Sequence, residues 1–147
     1  MKILITGTTG YIAKRLIPVL LAQKYELVCC IRDLDRIPED YIDHPQIEFL
    51  EIDFLNEELP ISLDKDIKAA YYLIHSMSSS NANFDDLEKT CALNFKRFVE
   101  NTNIEQVLYL SGITNQKELS KHLSSRKQVE NALNSSKYAL TTLKAGI

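Results

Sequence analysis

Lys2–Thr6 alternates as a strand does, meets Gly7-Thr8-Thr9-Gly10, and passes at once into a helical pattern. A loop this short, with glycine at both ends, is either a plain strand-to-helix turn or a cradle for a phosphate. In the second reading Gly7 permits the sharp turn and Gly10 lets the backbone come close to a pyrophosphate, with Thr9 between them. The amides of Tyr11 and Ile12, at the helix start, then donate to phosphate oxygens with the helix dipole behind them. Residue 13 lies where helix meets strand and has to be small; it is Ala13. The spacing is G-x-x-G-x-x-A rather than the commoner G-x-G-x-x-G, so the rest of the chain has to decide.

Beyond the loop, strand and helix patterns alternate with no internal repeat and no low-complexity tract. The first helix is expected from Gly10 to about Lys24, with Ile12, Leu16 and Val19 or Leu20 on its buried face and Pro18 bending it. Strands follow at Glu26–Arg32, Gln46–Ile52 and Ala69–His75, with a short turn-helix around Pro38–Ile42. The nearly unbroken apolar run of Ala69–His75 suits a parallel strand covered on both faces. After a loop of cap formers, Ser78–Asn83, the residues Phe84, Leu87, Cys91, Phe95 and Phe98 step along an amphipathic helix to about Thr102. Gln106–Leu110 is the fifth strand, a helix spans about Lys117–Ser135, and Leu140–Leu143 opens a sixth strand. Every crossover is long or helical, so the expected fold is α/β, a doubly wound parallel sheet of about six strands. In such a sheet the glycine loop lies at the carboxyl end of the first strand, beside the switch point where ligands bind, which favours nucleotide binding. The ending "YALTTLKAGI" reads as a strand just emerging into a loop. Residues 1–147 are therefore expected to be one dinucleotide-binding domain without the C-terminal part of the full fold.

A chain of 147 residues makes one domain with room for a substantial core. Its 45% hydrophobic and 25% charged content are those of a soluble globular protein, and a net charge of -3 offers no attraction to nucleic acid or an anionic membrane. No apolar run approaches a membrane span, and Met1-Lys2 leads into a strand without a signal peptide. Cys29, Cys30 and Cys91 have neither a disulfide framework nor metal-ligand spacing, so they are expected as small core hydrophobes in a cytoplasmic protein, and no metal site is expected.

With these residues in place, "TGTTGYIA" resembles the T-G-x-x-G-x-x-G/A fingerprint of the short-chain dehydrogenase/reductase superfamily. The stretches "YYLIHSM", "LYLSGI", "HLSSRKQVE" and "TTLKAGI" make the chain similar to the atypical branch of NAD(P)-binding, NmrA-like and epimerase-like proteins, in order along its whole length. The resemblance implies a Rossmann fold and gives further positions a role. The residue closing the second strand selects the cofactor: an acid takes the ribose 2′-hydroxyl of NAD, an arginine the 2′-phosphate of NADP. Here Arg32 is followed by Asp33 and Arg36, which favours NADP over NAD, against two alternatives: Asp33 reaching a ribose hydroxyl of NAD, and a solvated charged loop. Asp53, ending the third strand, is placed against the adenine amino group with the backbone of Phe54, unless it is simply a turn aspartate. His75 leaves the fourth strand toward the nicotinamide, with Ser76 and Met77 after it. Tyr71 and Tyr72 are expected in the core, and Asn94 is expected to brace a neighbouring strand.

Catalytic members of the superfamily use a serine or threonine after the fifth strand and a Tyr-x-x-x-Lys pair on the next helix. Ser111 or Thr114 stands near the first position, and His122 and Arg126 stand at the pair, H-x-x-x-R in place of Y-x-x-x-K. His122, Arg126, Val129 and Leu133 step by four, three and four, which either turns the two polar residues inward near the cofactor or leaves them at an exposed helix start. A histidine can move protons near neutrality; an arginine supplies fixed charge. Two functions therefore stay open. One is an NADP(H)-dependent oxidoreductase or epimerase-like enzyme acting on a small-molecule substrate through Ser111, His122 and Arg126. The other is a non-catalytic NADP-binding redox sensor acting through a protein partner. The helices after the fourth and fifth strands could pair two copies as a homodimer, although Phe84, Leu87, Phe95 and Phe98 would look the same if they packed on the sheet.

Overall fold

A computed structural model describes residues 1–59, 63, 66–75, 84–112 and 121–145, with the backbone alone at 84, 85 and 121–123. The elements in chain order are β1 (Lys2–Ile5), α1 (Tyr11–Ala22), β2 (Glu26–Ile31), β3 (Ile47–Glu51), β4 (Ile67–Tyr72), α2 (Phe84–Val99), β5 (Gln106–Gly112), α3 (Lys121–Leu133) and β6 (Ala139–Ala145). Two single 3-10 turns, Leu34–Arg36 and Glu39–Tyr41, lie between β2 and β3, the second inside the stretch expected to form a turn-helix. The sheet has six strands in the order β3-β2-β1-β4-β5-β6. Every pairing is parallel. The chain is thus wound outward twice from β1, and the switch point lies between β1 and β4, as expected for this class of fold.

Strand alternation sorts the core into two layers. Ile3 and Ile5 of β1, with Leu27 and Cys29 of β2, face α1 and meet Ala13, Ile17 and Leu20. Leu4, Val28 and Cys30 face the other way and join Ala70, Tyr72, Val107 and Tyr109 beneath α2 and α3. The adjacent cysteines of β2 therefore belong to opposite layers, and all three cysteines are free and buried. An aromatic cluster holds the second layer: Phe95 sits 5.4 Å from Phe54 and 4.8 Å from Tyr72, and Tyr109 lies 6.0 Å from Tyr72, centroid to centroid. Cys91, Phe95 and Phe98 are buried against their own sheet, and among the described side chains of the α2 stripe Leu87, 37% exposed, reaches the surface.

Several boundaries and one face differ from the sequence expectation. The buried stripe of α1 is Ala13, Ile17 and Leu20; Ile12 and Val19 are 39% and 58% exposed, and Leu16 is half-buried. The tight Gly7–Gly10 turn delivers the helix with Ala13 against the strands, and that contact sets the phase of everything after it. Helix α1 runs on through Pro18 and ends at Ala22, where Lys24 takes a left-handed conformation (φ 64°) that closes the turn. Strand β4 begins earlier than expected because Ile67, fully buried, pairs with Lys2. It ends at Tyr72 because β1 turns away there: the Leu73 amide bonds the Thr6 hydroxyl instead of backbone (3.0 Å). Ser76, Met77 and the Ser78–Asn83 loop lie outside the described residues, as do residues 117–120 of the helix expected from Lys117.

Phe95, fully buried in two ring contacts, is the test of this core. Phe95→Ala is expected to lower unfolding stability by about 3–5 kcal/mol, read from urea denaturation, because the cavity it leaves is walled by rings that cannot collapse into it.

Candidate functional site

The glycine loop is tied to both neighbouring strands. Thr6 donates its hydroxyl to the Tyr71 carbonyl of β4 (3.2 Å), and Thr8 donates to the Cys30 carbonyl of β2 (2.8 Å). Gly10 closes the turn by donating its amide to the Gly7 carbonyl (2.9 Å). Gly7 has φ +65°, and a Cβ there would lie 2.4 Å from the Leu73 carbonyl oxygen. Positive φ and close approach both demand glycine at this position. Gly10 is the N-cap of α1 with ordinary φ (-76°), and an added Cβ would meet only the Gly7 carbonyl, at 3.0 Å. The helix above it has no side-chain cap and no acid in its first turn. Its leading amides receive no side-chain cap from Gly10, an arrangement suited to an anion. Tyr11 is 67% exposed, and the Arg15 guanidinium lies 3.6 Å over its ring.

A cleft of about 580 Å³ opens above this loop across the carboxyl ends of β1–β4. Gly7, Thr9, Gly10, Tyr11 and Ile12 form one side, Arg32, Asp33 and Arg36 the next, and Asp53, Phe54 and His75 continue around it. The structure thus brings every residue expected to bind cofactor to one cavity. Arg32 and Arg36 are exposed, and neither forms an ion pair among the described residues. Asp53 plays the turn role, accepting the Leu55 amide (2.9 Å), and faces the cleft as well. The Phe54 ring is core, so what it can offer a ligand is main chain. Asn94, from α2, donates to the Phe54 and Asn56 carbonyls (2.8 and 3.2 Å), so the brace expected on a strand grips the loop after β3. Arg97 in turn bonds the Asn94 side-chain oxygen.

The residues expected to react gather less completely. Ser111, on β5, is fully buried on the face toward α2 and α3, outside the cleft lining; its hydroxyl has no partner within hydrogen-bond distance among the described residues. Val129 and Leu133 are buried as the helical stripe requires, while Arg126 is half-buried and its carbonyl accepts from the Tyr109 hydroxyl (3.3 Å). The side chain of His122 lies outside the described residues, and so does Thr114. Burial, and then the nearby Arg126 charge, holds the His75 imidazole below its usual pKa, with Glu88 opposing. Glu88 is a residue that sequence reasoning passed over: it is buried between α2 and α3 and accepts from the Ser125 hydroxyl at 2.5 Å. The signal was its place three residues before Cys91, on the apolar stripe of α2.

Cys30 and Cys91 also line the cleft, and burial disfavours the reactive thiolate of each. Burial pushes the Cys30 thiol well up, and it raises Cys91 to about 11, the Asp53 carboxylate adding and Arg32 subtracting.

Fold and cleft together define a dinucleotide-binding protein of the doubly wound class. The chain belongs to the NAD(P)H-binding family, whose model matches residues 7–146. No curated protein sequence matches it. Solved structures share the fold at low identity. A Gre2 from Candida albicans in complex with NADPH is 17% identical with TM-score 0.81, over 99% of this chain and 57% of that one. A protein of Bacillus halodurans assigned as an NAD-dependent epimerase/dehydratase is 18% identical with TM-score 0.82, over 99% and 70%. The UDP-glucuronic acid 4-epimerase of Bacillus cereus, in complex with NAD, is 18% identical with TM-score 0.76, over 99% and 56%. The chain thus spans from just over half to about two thirds of the length of these neighbours, and at 17–18% identity the likeness shows a shared fold. No helix among the described residues is long and apolar enough to cross a membrane.

Two outcomes are expected at the site. Gly7→Ala, forced into positive φ against Leu73, is expected to lose roughly 1–3 kcal/mol of stability and to abolish dinucleotide binding, measured by thermal melts with and without cofactor. At pH 8, iodoacetamide is expected to modify the native thiols on the order of a hundredfold more slowly than after denaturation, with the native rate still climbing up to about pH 11, because the thiolate is the reactive form.

Proposed function

We propose that the chain binds NADP(H) in the cytoplasm and serves as the cofactor-binding part of an oxidoreductase or epimerase-like enzyme acting on a small molecule. The observation that carries the cofactor choice is the arginine pair. Arg32 and Arg36 flank the cleft without an anionic partner among the described residues, and of the two acids between them, Asp33 and Asp35, the first accepts the Asp35 amide (3.0 Å) and lines the cleft. Guanidinium forks suit a 2′-phosphate better than a neutral ribose hydroxyl. One neighbour named above holds NADPH and another NAD, so the choice rests on this chain's own residues.

When bound, the cofactor supplies or accepts a hydride at the substrate carbon. In this reading His122 gives or takes the proton at the substrate oxygen, Arg126 favours the developing negative charge there, and Ser111 orients the same oxygen once the site opens to it. One observation supports the alternative of a redox sensor working through a protein partner: the Ser111 hydroxyl is wholly buried away from the cleft.

Calorimetric titration with NADPH, NADP, NADH and NAD in parallel tests the binding claim. Tighter binding of the 2′-phosphorylated pair is expected, and Arg32→Gln is expected to weaken NADPH about tenfold while leaving NADH unchanged, the loss of a hydrogen bond to a charged group. Equal or better binding of NADH would overturn the NADP reading. A screen of carbonyl substrates then separates the two functions: turnover abolished by His122→Ala marks the enzyme, and binding without turnover marks the sensor.

A further inference from the structure

The acid beside the arginine pair carries an inference that runs against its charge. An acidic residue at the end of the second strand ordinarily reads the ribose hydroxyls of NAD and repels a phosphate. Here Asp33 has extended backbone (φ -152°, ψ 114°) and is the N-cap of the 3-10 turn Leu34–Arg36. Its Oδ1 accepts the Asp35 amide at 3.0 Å, and its carbonyl accepts the Arg36 amide at 3.1 Å. The turn has no buried residue: Leu34, its apolar member, is 44% exposed. Nothing in the core therefore holds it, and a lone 3-10 turn without packing depends on its local hydrogen bonds. Those bonds place Arg36, the last residue of the turn, on the wall of the cleft beside Arg32.

We propose that Asp33 is a positioning residue for NADP, holding Arg36 at the cleft through the cap it provides, rather than a reader of the NAD ribose. The proposal rests on the NADP reading above and names the device behind it. Two effects of Asp33 oppose each other. Its charge repels a 2′-phosphate, and its cap presents the guanidinium that receives one. Asparagine removes the charge and keeps the acceptor oxygen; alanine removes both. The difference between the two substitutions isolates the cap.

The test measures NADPH and NADH affinities of the wild-type chain, Asp33→Asn, Asp33→Ala and the same pair in an Arg36→Gln background. Asp33→Asn is expected to bind NADPH at least as tightly as wild type, and Asp33→Ala about fivefold more weakly than Asp33→Asn, the size of a lost cap. NADH, with no 2′-phosphate, is expected to bind the two variants alike, which also shows that both are folded. In the Arg36→Gln background the alanine and asparagine variants are expected to converge. Equal NADPH affinity of the two single variants, or a difference that survives removal of Arg36, would overturn the proposal while leaving the NADP reading intact. A wild-type chain that shows no preference for NADPH would remove that reading and this inference with it.

Discussion

The approach of Gly7 to the Leu73 carbonyl is the contact on which the rest of the molecule depends. A side chain at residue 7 would sit 2.4 Å from that oxygen, so the loop leaving β1 can lie flush against the exit of β4 only as glycine. Three consequences follow from this single closeness. The turn is tight enough to bring Ala13 onto the strands, and that contact sets the phase of α1 and hence the whole first core layer. The leading amides of α1 open over the sheet's end rather than into it, which makes an anion site out of an ordinary helix start. Leu73, Ile74 and His75 are released from strand pairing and bend into the cleft wall.

Polar side chains then do at the loop what apolar packing does elsewhere. Thr6 and Thr8 fasten it to β4 and β2, Asn94 fastens the loop after β3 to α2, and Asp33 and Asp53 each cap the turn that follows their strand. Each bond contributes only about 1 kcal/mol net, yet each fixes backbone that borders the cleft. The cavity is thereby preorganised on the side of β1, β2 and β3, where a ligand need not order the protein before binding it.

Much of this was legible in the sequence, and the failures have physical causes. The alternation of strands and helices, the glycine loop and the α2 stripe were readable because each is a local pattern with its own period. The stripe of α1 was read in part: Leu20 is buried as one alternative had it, Leu16 packs on the same layer and Ala13 meets the strands as expected, while Ile12 and Val19 are exposed because the Ala13 contact turns them outward. Ile67 was read as linker because its pairing with Lys2 is long-range and leaves no trace in its neighbours. The cofactor-side residues were found together because a phosphate site has a sequence grammar of glycines, a helix start and charges at strand ends. Asp33 as a cap and Glu88 as a buried partner of Ser125 were not, since a carboxylate's partner is invisible until the chain folds.

The two halves of the proposed site are separate in space, and this bears on what the protein can do. The residues proposed to contact cofactor come from β1, the loop after it and the ends of β2 and β3, and they line an open cleft. Those proposed for reaction come from β5 and α3, where Ser111 is buried and Arg126 is half-buried, its carbonyl accepting from Tyr109. No described residue of α3 lines the cleft, so the His-Arg pair in place of Tyr-Lys changes no group in that lining. The His75 imidazole stands at the join, lining the cleft while sensing Arg126 on one side and Glu88 on the other. Burial and the Arg126 charge both disfavour its protonated form, while Glu88 favours it. In the proposed function, a change in cofactor redox state alters one positive charge on the nicotinamide ring. Transferring a hydride and reporting which form of cofactor is bound would then both draw on this junction between β4, β5 and α3, where His75 meets Arg126 and Glu88.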